Sequence, residues 1–297
     1  FRRVLFRSAD AVDSTHETSG GHPRTNGASS TMSTEIDSIA VIGAGTMGSG
    51  IALVAATSGI DVHQVDLSSD QLERARAYHD KVLSRNVQKE RMTEDEKAEA
   101  LARISYCESM EDAGAAGWAV EAATENPEVK AKLFKTMSEV FPASAVLATN
   151  TSSISITSIA TATGDAADRV VGMHFFNPVP VMKLVEVIKG LATSEETVSR
   201  TIALAERMGK TPIKANDRAG FVSNRVLMPM INEAFYAWME GVAEPEAIDD
   251  IMKLGCAFPM GPLRLADFIG LDVCHHIMMV LYEELGDQKY FPCPKLR

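Results

Sequence analysis

Ile39-Ala-Val-Ile-Gly43-Ala-Gly45-Thr-Met-Gly48 is the stretch of sequence that decides the fold of this chain. A short apolar run stops at a glycine, and the spacing Gly-x-Gly-x-x-Gly then opens a segment that is predicted to be helical. In such a unit the first glycine permits a tight turn, the second lets the backbone approach a pyrophosphate, and the third allows close helix–strand packing. The stretch therefore predicts a dinucleotide site. Its predicted contact residues are Gly43, Gly45, Thr46, Met47 and Gly48.

A second strand, predicted at 62–66, ends in a carboxylate. Asp66 lies 18 residues beyond Gly48, close to the spacing at which an acidic residue binds the ribose of a dinucleotide. The residues that follow, Leu67-Ser68-Ser69, include no arginine to accommodate a 2′-phosphate. The sequence therefore predicts NAD in preference to NADP as the cofactor. The alternative for the glycine loop is a structural turn without a ligand.

Composition and charge limit the classes of partner. The chain has 297 residues, of which 45% are hydrophobic, enough for a sizeable core and two domains. A net charge of −11 argues against nucleic acid, which binds basic surfaces. The apolar runs are too short to cross a bilayer, so a membrane partner is not predicted. Four scattered cysteines favour free thiols in a reducing cytoplasm, and His275-His276 lacks companion ligands for a metal.

Three segments of different character follow one another. Residues 1–35 are rich in Ser, Thr, Gly and Asn and are predicted to be a disordered or non-native leader. A transit peptide is disfavoured there because acidic residues follow its arginines. Residues 36–215 alternate strands and helices, which predicts a mostly parallel Rossmann-type sheet with helices on both faces. Residues 216–297 are predicted to form a smaller all-α domain that is incomplete at its C-terminus. Strands are expected at 39–42, 62–66, 118–122, 145–149, 170–174, 184–188 and 211–214.

His174 and Glu186 flank a proline-containing segment. Pro178 and Pro180 lie near its midpoint and favour a chain reversal there. A reversal makes the imidazole and the carboxylate cross-strand neighbours, and the carboxylate then fixes the tautomer of the ring. Such a pair suits general acid/base chemistry near neutral pH. The alternative is an ordinary histidine and glutamate at the ends of two surface strands.

Two further polar residues are candidates for the same site. Ser152 directly follows the strand predicted at 145–149, and the carboxyl ends of such strands face the ligand crevice. Its hydroxyl either binds a substrate or cofactor oxygen or belongs to a turn or helix cap. Asn224 lies on a helical apolar stripe that is predicted to face the sheet domain. Its amide needs a partner, which is either the backbone of another helix or a ligand between the domains. The other members of the stripe are Phe221, Met228, Ile231 and Phe235.

Lys81, Arg85 and Lys89 are spaced four residues apart within a predicted helix, so they share one face. In an acidic protein this basic face is a candidate for binding a phosphate-rich ligand. The alternative is a solvated face whose charges pair with Asp80 or Glu90.

Six segments together resemble the short-chain L-3-hydroxyacyl-CoA dehydrogenase family, in particular its bacterial 3-hydroxybutyryl-CoA dehydrogenases. They are VIGAGTMGSGIA (41–52), EAATENPEVKAKLF (121–134), TNTSSISIT (149–157), GMHFFNPVPVMKLVEVIKG (172–190), GFVSNR (220–225) and MGPLRLADFIGLDV (260–273). The resemblance extends from about residue 36 to the end of the chain, and the 172–190 block is long and highly specific.

The resemblance implies a role for each candidate residue. His174 matches the catalytic histidine of the family and Glu186 its paired carboxylate, whereas Ser152 and Asn224 match residues that contact the reacting oxygen. The helix with Lys81, Arg85 and Lys89 falls where the family holds the CoA moiety. Residues matching the NAD site are Asp66, Glu125, Lys130, Ser152 and Asn177.

The implied reaction is the interconversion of (S)-3-hydroxyacyl-CoA, such as 3-hydroxybutanoyl-CoA, and 3-oxoacyl-CoA with NAD. The family forms homodimers through its helical domain, and a homodimer that uses acyl-CoA in fatty acid or butyrate metabolism is therefore expected. This chain ends before the family's final basic and aromatic segment. The alternatives are a related dehydrogenase of a sugar acid such as L-gulonate and a non-catalytic NAD-binding relative.

Overall fold

An eight-stranded sheet forms the centre of the computed structural model, which describes residues 38–296. The predicted leader at 1–35 lies outside the described residues. The strand order is β3-β2-β1-β4-β5-β6-β7-β8, and every neighbouring pair is parallel except β6 and β7. The strands are β1 (Ser38–Ile42), β2 (Asp61–Val65), β3 (Ile104–Cys107), β4 (Trp118–Glu121), β5 (Val146–Thr149), β6 (Val170–Phe175), β7 (Leu184–Lys189) and β8 (Thr211–Asn216). The predicted mostly parallel Rossmann-type sheet is confirmed.

Helices cover both faces of this sheet. Their bounds within the described residues are α1 (Thr46–Thr57), α2 (Ser69–Gln88), α3 (Glu94–Ala102), α4 (Pro127–Val140), α5 (Ile156–Ala160), α6 (Glu195–Arg207), α7 (Ser223–Met239), α8 (Pro245–Cys256), α9 (Pro262–Ile269) and α10 (Leu271–Leu285). Because side chains alternate along a strand, Ile39 and Val41 join one core cluster with α1 and α6. Ala40 and Ile42 join a second cluster with α4 and α5 on the other face.

Helices α7 to α10 follow the last strand and share a separate apolar core. Met228, Ile231 and Phe235 lie in this helical core, whereas Phe221 packs into the core cluster of the sheet. The predicted orientation of the apolar stripe was therefore wrong for its C-terminal part. Phe221, just before α7, packs on the sheet, whereas the helix itself continues into its own bundle.

Three features departed from the sequence-based expectation. The edge strand β3 was not predicted, since it has only four residues and its Ser105 is exposed. Helix α5 is also short, at five residues. Within the region 216–297, which is predicted only as all-α, the chain is divided at Gly270 between α9 and α10; its φ of 109° breaks the helix and lies in a region that glycine adopts readily.

No single helix among the described residues is long and apolar enough to cross a membrane. Helices α9 and α10 together meet the criteria of length and composition, but they are bent by 98° at the break between them. Leu263, Ile277 and Met278 of this pair pack into the helical core.

Candidate active site

Three glycines in the loop between β1 and α1 have different structural roles. Gly43 and Gly48 allow close backbone contacts, and Gly45 leaves space beside the loop. Gly43 has a φ of 108°, and a Cβ atom there would lie 2.7 Å from the carbonyl oxygen of Ala122. A Cβ atom on Gly48 would lie 2.0 Å from the carbonyl oxygen of Gly43. Around Gly45, by contrast, no described atom lies within 4 Å of such a Cβ. Gly45 therefore leaves space for a ligand at the N-terminus of α1, where helices bind phosphate.

Asp66 is joined to this loop by a hydrogen bond. The backbone N–H of Ala44 donates to Asp66 Oδ2 at 2.8 Å, and the N–H of Ser68 donates to Oδ1 at 3.0 Å. The carboxylate therefore lies beside the loop, where it suits a free ribose hydroxyl better than a 2′-phosphate. The glycines and this carboxylate together fit an NAD-type dinucleotide, although their contacts with it stay predictions.

The predicted chain reversal is present, and it makes His174 and Glu186 direct partners in the antiparallel β6–β7 ladder. His174 Nδ1 lies 2.8 Å from Glu186 Oε2, and both residues are buried. An ionised carboxylate only accepts hydrogen bonds, so Nδ1 carries the proton and donates it. Nε2 is then the ring nitrogen left for chemistry, and His174 lines the cleft described below.

Glu186 also binds the N-terminus of α7. Its Oε1 accepts from the backbone N–H groups of Val222 at 3.3 Å and Ser223 at 3.0 Å, and Oε2 accepts from the Ser223 hydroxyl at 2.8 Å. Burial raises the pKa of Glu186, but the hydrogen bonds from His174 and Ser223 outweigh it, so the pKa lies below its ordinary value. The carboxylate is thus held ionised between the imidazole and the positive end of a helix.

Ser152, Glu125 and Asn224 form a second group near the imidazole. Glu125 Oε1 accepts from the backbone N–H of Ser152 at 2.6 Å and from its hydroxyl at 2.8 Å. Asn224 Nδ2 donates to the carbonyl oxygen of Ser152 at 3.0 Å. One partner of the asparagine is therefore the backbone of a sheet-domain loop and not of another helix, and a ligand between the domains as a second partner stays a prediction. The turn and cap functions nearby belong to Thr151 and Ser155.

A cleft of about 480 Å³ lies between the ends of the strands and the helical bundle. Predicted site residues that line it are Met47, Glu125, Lys130, Ser152, His174, Asn177 and Asn224. Its opposite wall is apolar and comes from α7, α9 and α10: Leu227, Met228, Phe268, Ile269, Val273 and Ile277. One cleft therefore places a buried imidazole, several polar groups and an apolar wall together.

The basic face of α2 does not line this cleft. Lys81, Arg85 and Lys89 are exposed, and they form no ion pair within residues 38–296. Asp80 pairs instead with Lys97 of α3, at 2.8 Å. The three cations are therefore available to a ligand or to solvent.

Sequence reasoning missed two buried or partly buried groups of the site. Glu121 ends β4, and its Oε2 lies 2.5 Å from Lys130 Nζ beneath the cleft. The sequence feature that could have indicated this group is an acidic residue at the end of an apolar strand. Ser223, adjacent to Asn224, donates twice to Glu186. No sequence pattern distinguishes it from an ordinary helix-start serine. Within the described residues, no group of three His, Cys, Asp or Glu side chains is placed to hold a metal.

Comparisons with known proteins agree over the whole described range. The profile of the "3-hydroxyacyl-CoA dehydrogenase, NAD binding domain" family matches residues 38–218, and that of the corresponding C-terminal domain matches 220–297. The "Probable 3-hydroxybutyryl-CoA dehydrogenase" of Bacillus subtilis is 55% identical over 89% of this chain and 91% of its own length. The 3-hydroxybutyryl-CoA dehydrogenase of Bradyrhizobium diazoefficiens is 48% identical over 89% and 90% of the two chains.

A solved structure shows the same similarity in three dimensions. The (S)-3-hydroxybutyryl-CoA dehydrogenase of Ralstonia eutropha superimposes with a TM-score of 0.86 at 49% identity. The match covers 89% of this chain and 93% of that one.

Proposed function

This chain belongs to the 3-hydroxyacyl-CoA dehydrogenase family, and on that premise we propose that it interconverts (S)-3-hydroxybutanoyl-CoA and acetoacetyl-CoA with NAD. The observation that carries the proposal is the buried His174–Glu186 pair, with Nδ1 and Oε2 2.8 Å apart, at the edge of a cleft next to the glycine loop. General acid/base chemistry needs such an oriented imidazole within reach of the substrate.

His174 moves the proton in this proposal. In the oxidative direction its Nε2 takes the proton of the 3-hydroxyl, and in the reductive direction it returns a proton to the carbonyl oxygen. Glu186 stabilises the imidazolium, because its ionised carboxylate already accepts from Nδ1. When bound, NAD⁺ would accept the hydride from C3 in the oxidative direction, and NADH would supply it in the reductive direction.

Ser152 and Asn224 hold the reacting oxygen in place. Both line the cleft, and the Asn224 amide has a second N–H beyond the one that binds the Ser152 carbonyl. The Asn224 amide, a donor fixed in this way, stabilises the charge that develops on the oxygen, while Glu125 keeps the Ser152 hydroxyl in place by accepting a hydrogen bond from it.

The glycine loop, Asp66 and the polar wall of the cleft bind the cofactor. Open space at Gly45 accommodates the pyrophosphate, and Asp66 accepts from the ribose hydroxyls. Glu125, Lys130 and Asn177 line the cleft and would hold the nicotinamide end.

The CoA thioester is the substrate class that fits the remaining surfaces. The apolar wall of the cleft suits a short acyl chain, and the unpaired cations Lys81, Arg85 and Lys89 suit the phosphates of CoA. A sugar acid such as L-gulonate would use neither surface.

We propose further that the protein acts as a homodimer in the cytoplasm. The helical bundle exposes Val226, Ile251, Leu254 and Phe268, each with more than 60% of its surface accessible. These exposed apolar side chains are the candidate association surface. The four cysteines are all unpaired, as in a reducing compartment. Light scattering coupled to size exclusion tests the dimer.

A direct assay tests the proposed reaction. The full chain is incubated with NADH and acetoacetyl-CoA, and NADH absorbance is followed; the matched reactions contain NADPH, or NAD with L-gulonate. We expect rapid oxidation of NADH by acetoacetyl-CoA, slower reaction with NADPH and no reaction of L-gulonate. Turnover of L-gulonate alone would favour the sugar-acid alternative, and tight NADH binding without turnover of any substrate would favour a non-catalytic protein.

A further inference from the structure

Beneath the cleft lies a buried polar cluster of three residues, and the proposed reaction assigns a task only to its lysine. It consists of Glu121 at the end of β4, Thr149 at the end of β5 and Lys130 of α4, all with at most 1% of their surface accessible. Glu121 and Thr149 are register partners in neighbouring strands. Burying an ion pair this deeply is costly unless its hydrogen bonds are satisfied, so the cluster requires an explanation.

Both oxygens of Glu121 are fully used. Oε2 accepts from Lys130 Nζ at 2.5 Å and from the Thr149 hydroxyl at 2.8 Å. Oε1 accepts from the backbone N–H groups of Ala123 at 2.8 Å and Thr124 at 3.3 Å. One carboxylate therefore fixes the lysine, the end of the next strand and the loop that leads to Glu125.

Lys130 lies between the carboxylates of Glu121 and Glu125 and is closer to Glu121. Its Nζ is 2.5 Å from Glu121 Oε2 but 3.7 Å from Glu125 Oε2. Glu125 in turn accepts from the backbone and hydroxyl of Ser152 and from the hydroxyl of Thr151. Lys130 approaches Oε2, the oxygen that accepts from Thr151, whereas Ser152 donates to Oε1. If the lysine moved fully onto Glu125, it would compete with the Thr151 hydroxyl at Oε2 and draw the carboxylate away from Ser152.

We propose that Glu121 is a positioning residue, whose buried carboxylate holds Lys130 away from Glu125 and thereby leaves Glu125 free to orient Ser152 for the reacting oxygen. The inference rests on the proposed function for its kinetic consequence. Glu121 itself lies below the cleft and does not line it, so it acts through Lys130 and the 122–125 loop.

The Glu121→Gln variant tests the kinetic consequence. The amide keeps the shape of the side chain but loses the charge that retains Lys130. We expect kcat for acetoacetyl-CoA to fall about 10- to 100-fold, as displaced catalytic groups typically cause, in protein that stays folded. The matched control is Glu128→Gln on the exposed face of α4, which should leave kcat unchanged.

A double variant separates positioning from a structural role. Glu121→Gln combined with Lys130→Met removes the cation that would capture Glu125, so the hydrogen bond from the Ser152 hydroxyl to Glu125, lost in the single variant, should be present in a crystal structure of the double variant. Because Lys130 lines the cleft, the KM for NADH should be raised in the double variant. The proposal is overturned if folded Glu121→Gln keeps the parental kcat, or if the double variant also lacks the Glu125–Ser152 hydrogen bond.

A crystal structure of the Glu121→Gln variant provides a readout that does not depend on turnover. We expect Lys130 Nζ to move within about 3 Å of Glu125, with loss of the bond from the Ser152 hydroxyl. An unchanged Lys130 and an unchanged Glu125–Ser152 pair would refute the positioning role. A parent protein without activity on acetoacetyl-CoA would instead refute the proposed function, while this structural outcome still decides the role of Glu121.

Discussion

The two ends of the site are assembled in different ways. At the cofactor end, Asp66 accepts from the backbone of Ala44, only 22 residues earlier, and β1, the loop and β2 are consecutive. At the reaction end, Asn224 binds Ser152 across 72 residues, and Glu186 meets the start of α7. The first end is built from one continuous unit, whereas the second exists only when the sheet and the helical bundle are in contact. Variants at the two ends should therefore fail differently.

The largest expected effect is at the reaction end. His174→Gln removes the only proposed proton carrier, so kcat should fall about 10³-fold, within the range of acid/base catalysis. Binding of NADH, measured by fluorescence, should stay unchanged because the glycine loop is untouched. His276→Gln, on the exposed side of α10, is the matched control. Full kcat in the His174 variant would refute the acid/base assignment.

The next largest effects are expected for two glycine variants at the cofactor end, which should differ in whether they lose NADH binding or stability. Gly45 has a φ of −72° and open space around a Cβ, so Gly45→Ala should keep its melting temperature but weaken NADH binding about tenfold by crowding the pyrophosphate. Gly48→Ala places a Cβ 2.0 Å from a backbone oxygen, so it should lower stability by about 1–3 kcal/mol. Fluorescence titration and thermal unfolding measure the two outcomes. Equal losses of melting temperature in both variants would contradict the distinction.

A smaller effect concerns acid stability at the reaction end. Glu186 has a pKa below its ordinary value of 4.5, so its stabilising contribution is present above that value and is lost as the pH falls through the folded-state pKa. Ser223→Ala removes one donor and raises this pKa, so acid unfolding should begin at a higher pH. The free energy of unfolding at neutral pH should fall by about 1.5 kcal/mol.

Circular dichroism during acid titration follows this change. Ser199→Ala, on the exposed face of α6, is the control and should leave the acid midpoint in place. An acid midpoint that is identical in the Ser223 variant would mean that its hydroxyl does not stabilise the ionised Glu186.

The smallest effect lies outside both ends, on α2. Lys81→Ala and Lys89→Ala should each raise the KM for acetoacetyl-CoA about two- to fivefold, as exposed charge pairs do, and leave kcat unchanged. High salt should abolish the difference. Lys135→Ala, exposed on α4, should have no effect on KM. An unchanged KM in both α2 variants would assign the CoA phosphates to another surface.

Much of the cofactor end could be predicted from sequence because its determinants are local. The strand, the glycine spacing and the following acid occupy one continuous segment, and helix α1 begins within the glycine loop, at Thr46, as the spacing predicts. The His174–Glu186 pairing was also predictable, since prolines near the midpoint place the reversal. The prediction of a thioester substrate came only from the resemblance to a known family, because no pattern of residues in the sheet specifies a thioester.

The remaining features depend on tertiary contacts that no local pattern contains. Glu121 appears in sequence as one acidic residue at a strand end, and only the fold places Lys130 and Thr149 around it. Ser223 resembles any helix-start serine until Glu186 is placed opposite it. The edge strand β3 was missed because four residues with one exposed position provide too little alternation.

The bond between Glu186 and the start of α7 sets a rule for building hybrids of related enzymes. Replacing the helical bundle requires a crossover point between β8 and α7. The incoming segment then supplies the backbone N–H groups that donate hydrogen bonds to the Glu186 carboxylate. Two crossovers that differ only in which parent supplies residue 223 give hybrids with the same side chains lining the cleft, and the hybrid without a hydroxyl at 223 loses one donor to the Glu186 carboxylate that supports the imidazole. Hybrids that join the same two parents on either side of residue 223 should therefore differ in turnover more than in substrate preference.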